Sequence, residues 1–483
     1  MKTSPPTRRQ FLGQASCAAL SSVSMLNMLL NLKLANQAAA QGSFTDRKTL
    51  VCLFLHGGND SYNMLIPRDA ARHATYSVSR GNLALSQAAI APSALNQDAG
   101  GDGQLYSLHP SCVGMRELFN GLGGDTAKRR LSVVTNVGTL IQPTNKAQYL
   151  SESVPLPRAL FSHSDQTDQW QTSVPQGLAQ LAGWGGRAAD VLHSTSNTGQ
   201  TAMSISFDGN NLFQVGNNTQ QFVVTPSGAL TFTASGAVSP NPLAVKNAAH
   251  RSLIEQHYSN LMQESFGQLT KTSVDLQEYF QTLFNTFDES TLQTPFPANN
   301  YLGENLRSIA KTIALRPQLG LRRQTIFLTY GGWDHHAELL NTQAGMLAYL
   351  DGALTAFQKA LEELGIANDV ITFTCSDFAR TLRSNGQGTD HAWGGNVLVM
   401  GGPVQGGHIV GTFPDLALDS NDDVGYGGRL LPTTSVDKFF AEMLRWFGVS
   451  AANMSYVLPN IANFYNVNSS TLPLGFLRPG TWT

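Results

Sequence analysis

Three stretches of the chain are uninterrupted apolar runs that stop at acids and histidines. Residues 49–55 (TLVCLFL) lead into His56, Gly57, Gly58, Asn59 and Asp60; residues 326–330 (IFLTY) lead into Gly331, Gly332, Trp333, Asp334, His335 and His336; residues 370–375 (VITFTC) lead into Ser376, Asp377 and Phe378. Short continuous runs of this kind predict strands buried on both faces. Between the second and third, Leu347, Leu350, Leu354, Phe357, Leu361 and Leu364 alternate spacings of three and four and end at Gly365, the stripe of an amphipathic helix with its stop. Strand, helix, strand favours a right-handed parallel crossover. In an open parallel sheet the ligand site lies beyond the carboxyl ends of the strands, so the acids at these exits are expected to converge on one crevice.

Further runs at residues 131–134 and 396–400 predict two more core strands. Residues 201–239 shift to Thr, Asn, Gly, Val and Phe with turn signals, suggesting a strand-rich insertion, and residues 244–283 are mostly helical in pattern. Together they define an insertion around 195–320 within a single α/β domain of residues 41–483. Thr434 and Asp437 have the spacing of a helix cap ahead of Phe439, Phe440, Met443, Leu444 and Phe447, with Gly448 as the stop. No internal repeat is present.

Composition narrows the function classes. Across 483 residues, 31 Lys plus Arg against 33 Asp plus Glu leave a net charge of -2, which argues against a nucleic-acid binder. Only 13% of residues are charged, against roughly 25% in an average domain, so most of the chain is expected to fold.

Residues 1–40 have a different character. Arg8 and Arg9 precede a weakly apolar stretch that ends in Ala38, Ala39 and Ala40, the pattern of a twin-arginine export signal. Ser16, Ser21, Ser22, Ser24 and Asn27 interrupt the stretch, which argues against a transmembrane anchor. The mature chain is therefore expected in the periplasm or outside the cell, without a membrane span. Cys17 is placed too early for a lipoprotein cysteine, and Cys52, Cys112 and Cys375 are expected as buried thiols.

Asp334, His335 and His336 on one glycine-preceded loop are good ligands for zinc or manganese, although such residues also cap helices on plain surface loops. Asp377 at a neighbouring exit and Asp390 with His391 in the glycine-rich loop 386–395 strengthen the metal reading. His56 and His109 read as packing histidines and Trp393 as core, while His163 with Asp165 is open between metal ligand, supporting residue and structural pair.

The stretches LFLHGGNDSYNMLIP (53–67), GGWDHH (331–336) and SDFARTLRSNGQGTDHAWGG (376–395) resemble the exported bacterial family called domain of unknown function 1501, and LHPS (108–111), SHSDQTDQW (162–170) and GRLLPTTSVD (428–437) add to the match. The family resembles the alkaline phosphatase and sulfatase superfamily. That implies an alkaline-phosphatase-like core, a mainly parallel sheet sandwiched by helices, with a divalent metal site (Zn, Mn, Mg or Ca) on one sheet edge. By this resemblance Asp60, Asp334, His336, Asp377 and His391 are metal ligands, His336 being favoured over His335. Asp377 would bridge to or hold a second metal, but Phe378 stands where the superfamily shows His, so one metal or two remains open. Among Ser162, Ser164 and Thr167, in a segment similar to the nucleophile segment of phosphopentomutases, Thr167 is the candidate nucleophile. Arg380 would grip an oxyanion or form a salt bridge. The implied activity is hydrolysis of phosphate or sulfate esters, small or polymer-borne, at a metal. The alternative is a cell-envelope binding or assembly protein that keeps the fold without the chemistry, and an exported protein partner fits either.

Overall fold

The computed structural model describes residues 44–177, 182–199, 201–230 and 241–482. Residues 1–40, where an export signal is expected, and Cys17 within them lie outside the described residues. Twelve strands appear in chain order: β1 (Lys48–His56), β2 (Leu65–Pro67), β3 (Tyr106–Leu108), β4 (Leu131–Gly138), β5 (Ser204–Ser206), β6 (Phe222–Thr225), β7 (Gly228–Ala229), β8 (Arg323–Gly331), β9 (Val370–Ser376), β10 (Gly395–Gly401), β11 (Ile409–Val410) and β12 (Thr434–Ser435). Apart from the β2–β3 pair they form one sheet of order β11-β4-β10-β9-β1-β8-β5-β6-β7, with β12 also on β4. The three runs that end in acids are its adjacent interior strands, β8, β1 and β9, all parallel. Both expected extra strands are present as β4 and β10, but β10 runs antiparallel to each of its neighbours. In the strand-rich segment β5 and β6 pair in parallel beyond β8, so this segment extends the central sheet.

Helices cover both faces because β1 is apolar on both. Val51, Leu53 and Leu55 point into a core shared with Leu306 and Ile309 of the Tyr301–Ala314 helix and Leu347, Leu350 and Leu354 of the Leu339–Glu363 helix. Leu50, Cys52 and Phe54 point the other way, into a core with Trp184, Phe439, Phe440 and Leu444. Strand period two divides one apolar run between two layers. The Leu339–Glu363 helix follows the expected stripe, and Gly365 takes φ 68 just beyond it. The result is a mixed α/β fold around a mostly parallel sheet. Among the described residues no helix is long and apolar enough to cross a membrane.

Two sequence expectations need correction. The Val436–Phe447 helix is capped by Ser435, the last residue of β12 and the one directly before the helix, whose Oγ accepts the Lys438 N–H at 3.2 Å; Thr434 lies one position too early. His56 is exposed at the end of β1, whereas His109 is buried as expected. Cys52, Cys112 and Cys375 are free and buried, and Trp393 is a core residue whose indole donates to the Thr139 carbonyl.

Asp437, in the first turn of that capped helix, is fully buried and accepts from Ser173 Oγ at 3.1 Å. Burial pushes its carboxyl up to about 7, against the pull of the Ser173 bond. A raised carboxyl favours the folded state when protonated. Its contribution is full below the unfolded value near 3.8 and is lost as pH rises through about 7. Denaturant unfolding at pH 4 and pH 8 should therefore show Asp437→Asn losing less stability than wild type over this interval, by up to about 4 kcal/mol. Parallel pH profiles would overturn this account.

Candidate metal centre

Parallel register brings the β1, β8 and β9 exits side by side, pairing Leu55 with Ser376 and His56 with Gly331. Gly57 makes the turn at φ 122, where a Cβ would stand 2.6 Å from the Asp334 backbone nitrogen, so only glycine lets the β1 and β8 exit loops approach this closely. Its N–H donates to both oxygens of Asp377, at 3.1 and 3.2 Å. From β9 the chain runs out through Arg380 and returns to His391, the two joined by a backbone bridge that sets His391 over the same edge. On the opposite side His163 begins the His163–Thr172 helix.

Four side chains from these segments converge. His163 Nε2 lies 3.1 Å from His391 Nε2 and 3.5 Å from Asp334 Oδ2. His391 Nε2 lies 3.5 Å from Asp334 Oδ1, and His336 Nε2 lies 3.1 Å from His391 Nε2 and 3.0 Å from Asp334 Oδ1. Tetrahedral ligands about 2.0–2.1 Å from a zinc ion stand about 3.3–3.4 Å apart; the donors of His163, Asp334 and His391 all lie within 4.8 Å of one another and suit one divalent ion, with His336 beside His391 and Asp334.

Ring orientation supports the same fit. The Nδ1 of His163 faces Asp377 Oδ2 at 2.6 Å, that of His391 the Phe161 carbonyl at 2.8 Å, and that of His336 Asp390 Oδ1 at 3.3 Å. For His163 and His391 the Nδ1–H has a hydrogen-bonded outward acceptor, which leaves Nε2 as a lone pair turned inward. Inward lone pairs about 3 Å apart repel one another unless a cation or proton sits among them, and outward carboxylate or carbonyl partners are the usual support of metal-binding imidazoles. Burial pushes the His391 imidazole below its ordinary pKa, only partly offset by its bond to Phe161, and so favours the neutral ligand form. For Asp334, burial raises the carboxyl, but the Arg380 hydrogen bond and charge, with the neighbouring histidines, hold it below the usual range.

The candidate residues separate into different roles. Asp334, His336 and His391 point into the cluster, while His335 turns inward to Met346 Sδ at 3.3 Å. Asp377 is fully buried, with Oδ2 2.6 Å from His163 Nδ1 and both oxygens accepting from the Gly57 N–H, so it stands behind His163 and not among the converging donors. Asp60 is outside the cluster: it is fully buried in an ion pair with Arg80, which also donates to the Thr381 and Leu382 carbonyls. The Arg380 guanidinium is likewise consumed, by Asp334 at 2.7 Å and by the Thr389 hydroxyl and carbonyl, and is not free to grip an oxyanion. Thr167 lies one turn after His163 with its hydroxyl buried and without a hydrogen-bond partner, so it presents no nucleophile at the crevice. Phe378 packs its ring 4.7 Å from both His163 and His391, walling the cluster where a second metal would need a nitrogen.

His163 is the member of the cluster that sequence reasoning left undecided. Its expected partner Asp165 instead accepts from Ser162 Oγ at 2.6 Å. The available signal was its place in SHSDQTDQW among the shared motifs; the pairing with Asp377 spans 214 positions.

A family described as "Protein of unknown function (DUF1501)" matches residues 47–459. No curated protein matches the chain. Among solved structures, the lipoteichoic acid synthase LtaP from Listeria monocytogenes is similar at TM-score 0.30 and 7% identity, over 91% of this chain and 79% of that one. A protein of glycosaminoglycan metabolism from Bacteroides thetaiotaomicron is similar at TM-score 0.30 and 10% identity, over 85% and 74%.

Proposed function

The chain belongs to the DUF1501 family, and we propose that it is a metal-dependent hydrolase of phosphate or sulfate esters, exported by the twin-arginine pathway to the periplasm or beyond. The observation that carries this reading is the convergence of three Nε2 atoms and one carboxylate at the sheet's carboxyl edge, the His163 and His391 rings held from behind by hydrogen bonds. His163, His336, His391 and Asp334 would hold one divalent ion. Bound there, such an ion supplies Lewis acidity, polarising an ester oxygen and making water a stronger acid. Asp377 keeps the His163 proton on Nδ1, Arg380 fixes the Asp334 carboxylate, and Phe378 shuts water out from one side. With Thr167 buried, water is the attacking group that this arrangement favours. The four donor residues remain a quarter to a half exposed, leaving the crevice open to an ester.

A second reading rests on the number of donors. Four protein ligands can close a tetrahedral shell, as in structural sites, which suits a binding or assembly protein with an exported partner. Metal analysis followed by assays on 4-nitrophenyl phosphate and 4-nitrophenyl sulfate with Zn, Mn, Mg or Ca separates the two. One ion per chain and turnover abolished by a chelator are expected. One tightly held ion without turnover selects the second reading, and no bound ion defeats both.

A further inference from the structure

Beside the cluster is a cavity of about 340 Å³, within the roughly 300–1,000 Å³ usual for small-molecule sites. Asp390 forms part of its wall and also faces His336 Nδ1, so the cavity and the metal centre share a residue. The rest of the lining includes Ser384, Arg383, Asp419 and Tyr426, with the buried Thr381 and Asp423 behind them, whose side chains are hydrogen-bonded to the backbone of Arg383, Asp390, Asp419 and Gly425. Neither the Arg383 guanidinium nor the Asp419 carboxylate is hydrogen-bonded or ion-paired within the described residues.

Tyr426 is 81% exposed, yet its position is specified. It takes φ 56 among Gly425, Gly427 and Gly428, at 105, 86 and 91, giving four consecutive residues in left-handed backbone. A tyrosine held there is uncommon, and such strain persists where surrounding structure enforces it. The enforcement is visible: the Arg429 guanidinium carbon lies 4.6 Å from the Tyr426 ring centroid and 3.8 Å from that of Phe161, while Arg429 Nε donates to the His391 carbonyl at 2.9 Å. Phe161 in turn receives the His391 Nδ1–H. The aromatic platform is thus tied to a metal-site histidine.

We infer that this cavity is a saccharide subsite, and that the ester group cleaved at the metal centre is carried on a pyranose ring. The lining calls for an occupant with many hydroxyls and one flat, weakly polar face. A pyranose has both: its hydroxyls meet Ser384, Arg383, Asp390 and Asp419, and its C–H face, polarised positive, meets the negative π face of Tyr426. An aryl group would leave the carboxylates and guanidinium desolvated without partners, and an acyclic polyol would leave the ring uncovered.

The inference rests on the hydrolase reading but is tested by binding. Calorimetric titration of the zinc-loaded and zinc-free chain with glucose 6-phosphate, phenyl phosphate and glycerol 3-phosphate uses three phosphate esters that differ in the carried group. Glucose 6-phosphate should bind about tenfold tighter than the other two, a margin of about 1.4 kcal/mol. Tyr426→Ala should abolish that margin and Tyr426→Phe retain it; the exposed position makes both variants tolerable to the fold. Equal affinities for the three probes, preference for phenyl phosphate, or a margin that survives Tyr426→Ala would overturn the saccharide assignment. Ring-selective, Tyr426-dependent binding without hydrolysis under any metal would uphold the subsite and defeat the hydrolase, whereas hydrolysis of all three esters without preference would do the reverse.

Discussion

Replacing His163 by alanine is expected to lower affinity for the divalent ion by at least about 100-fold, more than the 10–100-fold typical when an outer partner of a ligand is lost. Its Nε2 is within 3.5 Å of both His391 and Asp334, so its loss removes a donor that no neighbour replaces. Asp377→Asn should be the milder change. It leaves the imidazole in place but weakens the 2.6 Å contact that fixes its tautomer, and affinity should fall within that 10–100-fold range. Competition with a chelating dye under matched buffer measures both. Equal effects would mean that Asp377 is itself a ligand, and unchanged affinity in His163→Ala would remove His163 from the site.

Arg80→Ala should produce the largest loss of stability among single substitutions around the sheet edge, about 3–5 kcal/mol, because it strands the Asp60 carboxylate without its countercharge. Both side chains are fully buried, and Arg80 also satisfies two carbonyls of the segment that carries Arg380. Removing both charges in Asp60→Asn/Arg80→Gln should cost less than Arg80→Ala alone, since no buried charge is left unpaired. That double variant should still bind one ion per chain. Denaturant unfolding gives the first comparison and metal analysis the second; a folded double variant without metal would restore Asp60 to the ligand set.

Much of the scaffold was legible in the amino-acid pattern. The runs 49–55, 326–330 and 370–375 are mostly apolar on both sheet faces, broken only by threonines, and strand period two makes that a local property. The stripe from Leu347 to Leu361 and the glycine at 365 are local in the same sense. Chain order therefore placed Asp334 and Asp377 on one edge, and the glycine-rich return brought His391 to it. The antiparallel direction of β10 was not legible, because an apolar run reads the same in either direction and only its connection to β9 sets the orientation.

By itself the sequence determined which strands are interior, which edge collects polar side chains, and that nitrogen and carboxylate donors are available there. Only the tertiary structure decided what each donor does. Asp60 and Asp377 look alike in sequence, an acid just past an apolar strand. One meets Arg80 and is neutralised; the other meets Gly57 and His163 and becomes a support. Arg380 and Arg383 are three positions apart, yet one is consumed by Asp334 and Thr389 while the other faces the open cavity. Thr167 bears a suitable hydroxyl, but in the His163–Thr172 helix that hydroxyl is buried. Periodicity reports the few residues around a position, whereas a side chain's role is set by burial and by partners brought from hundreds of positions away.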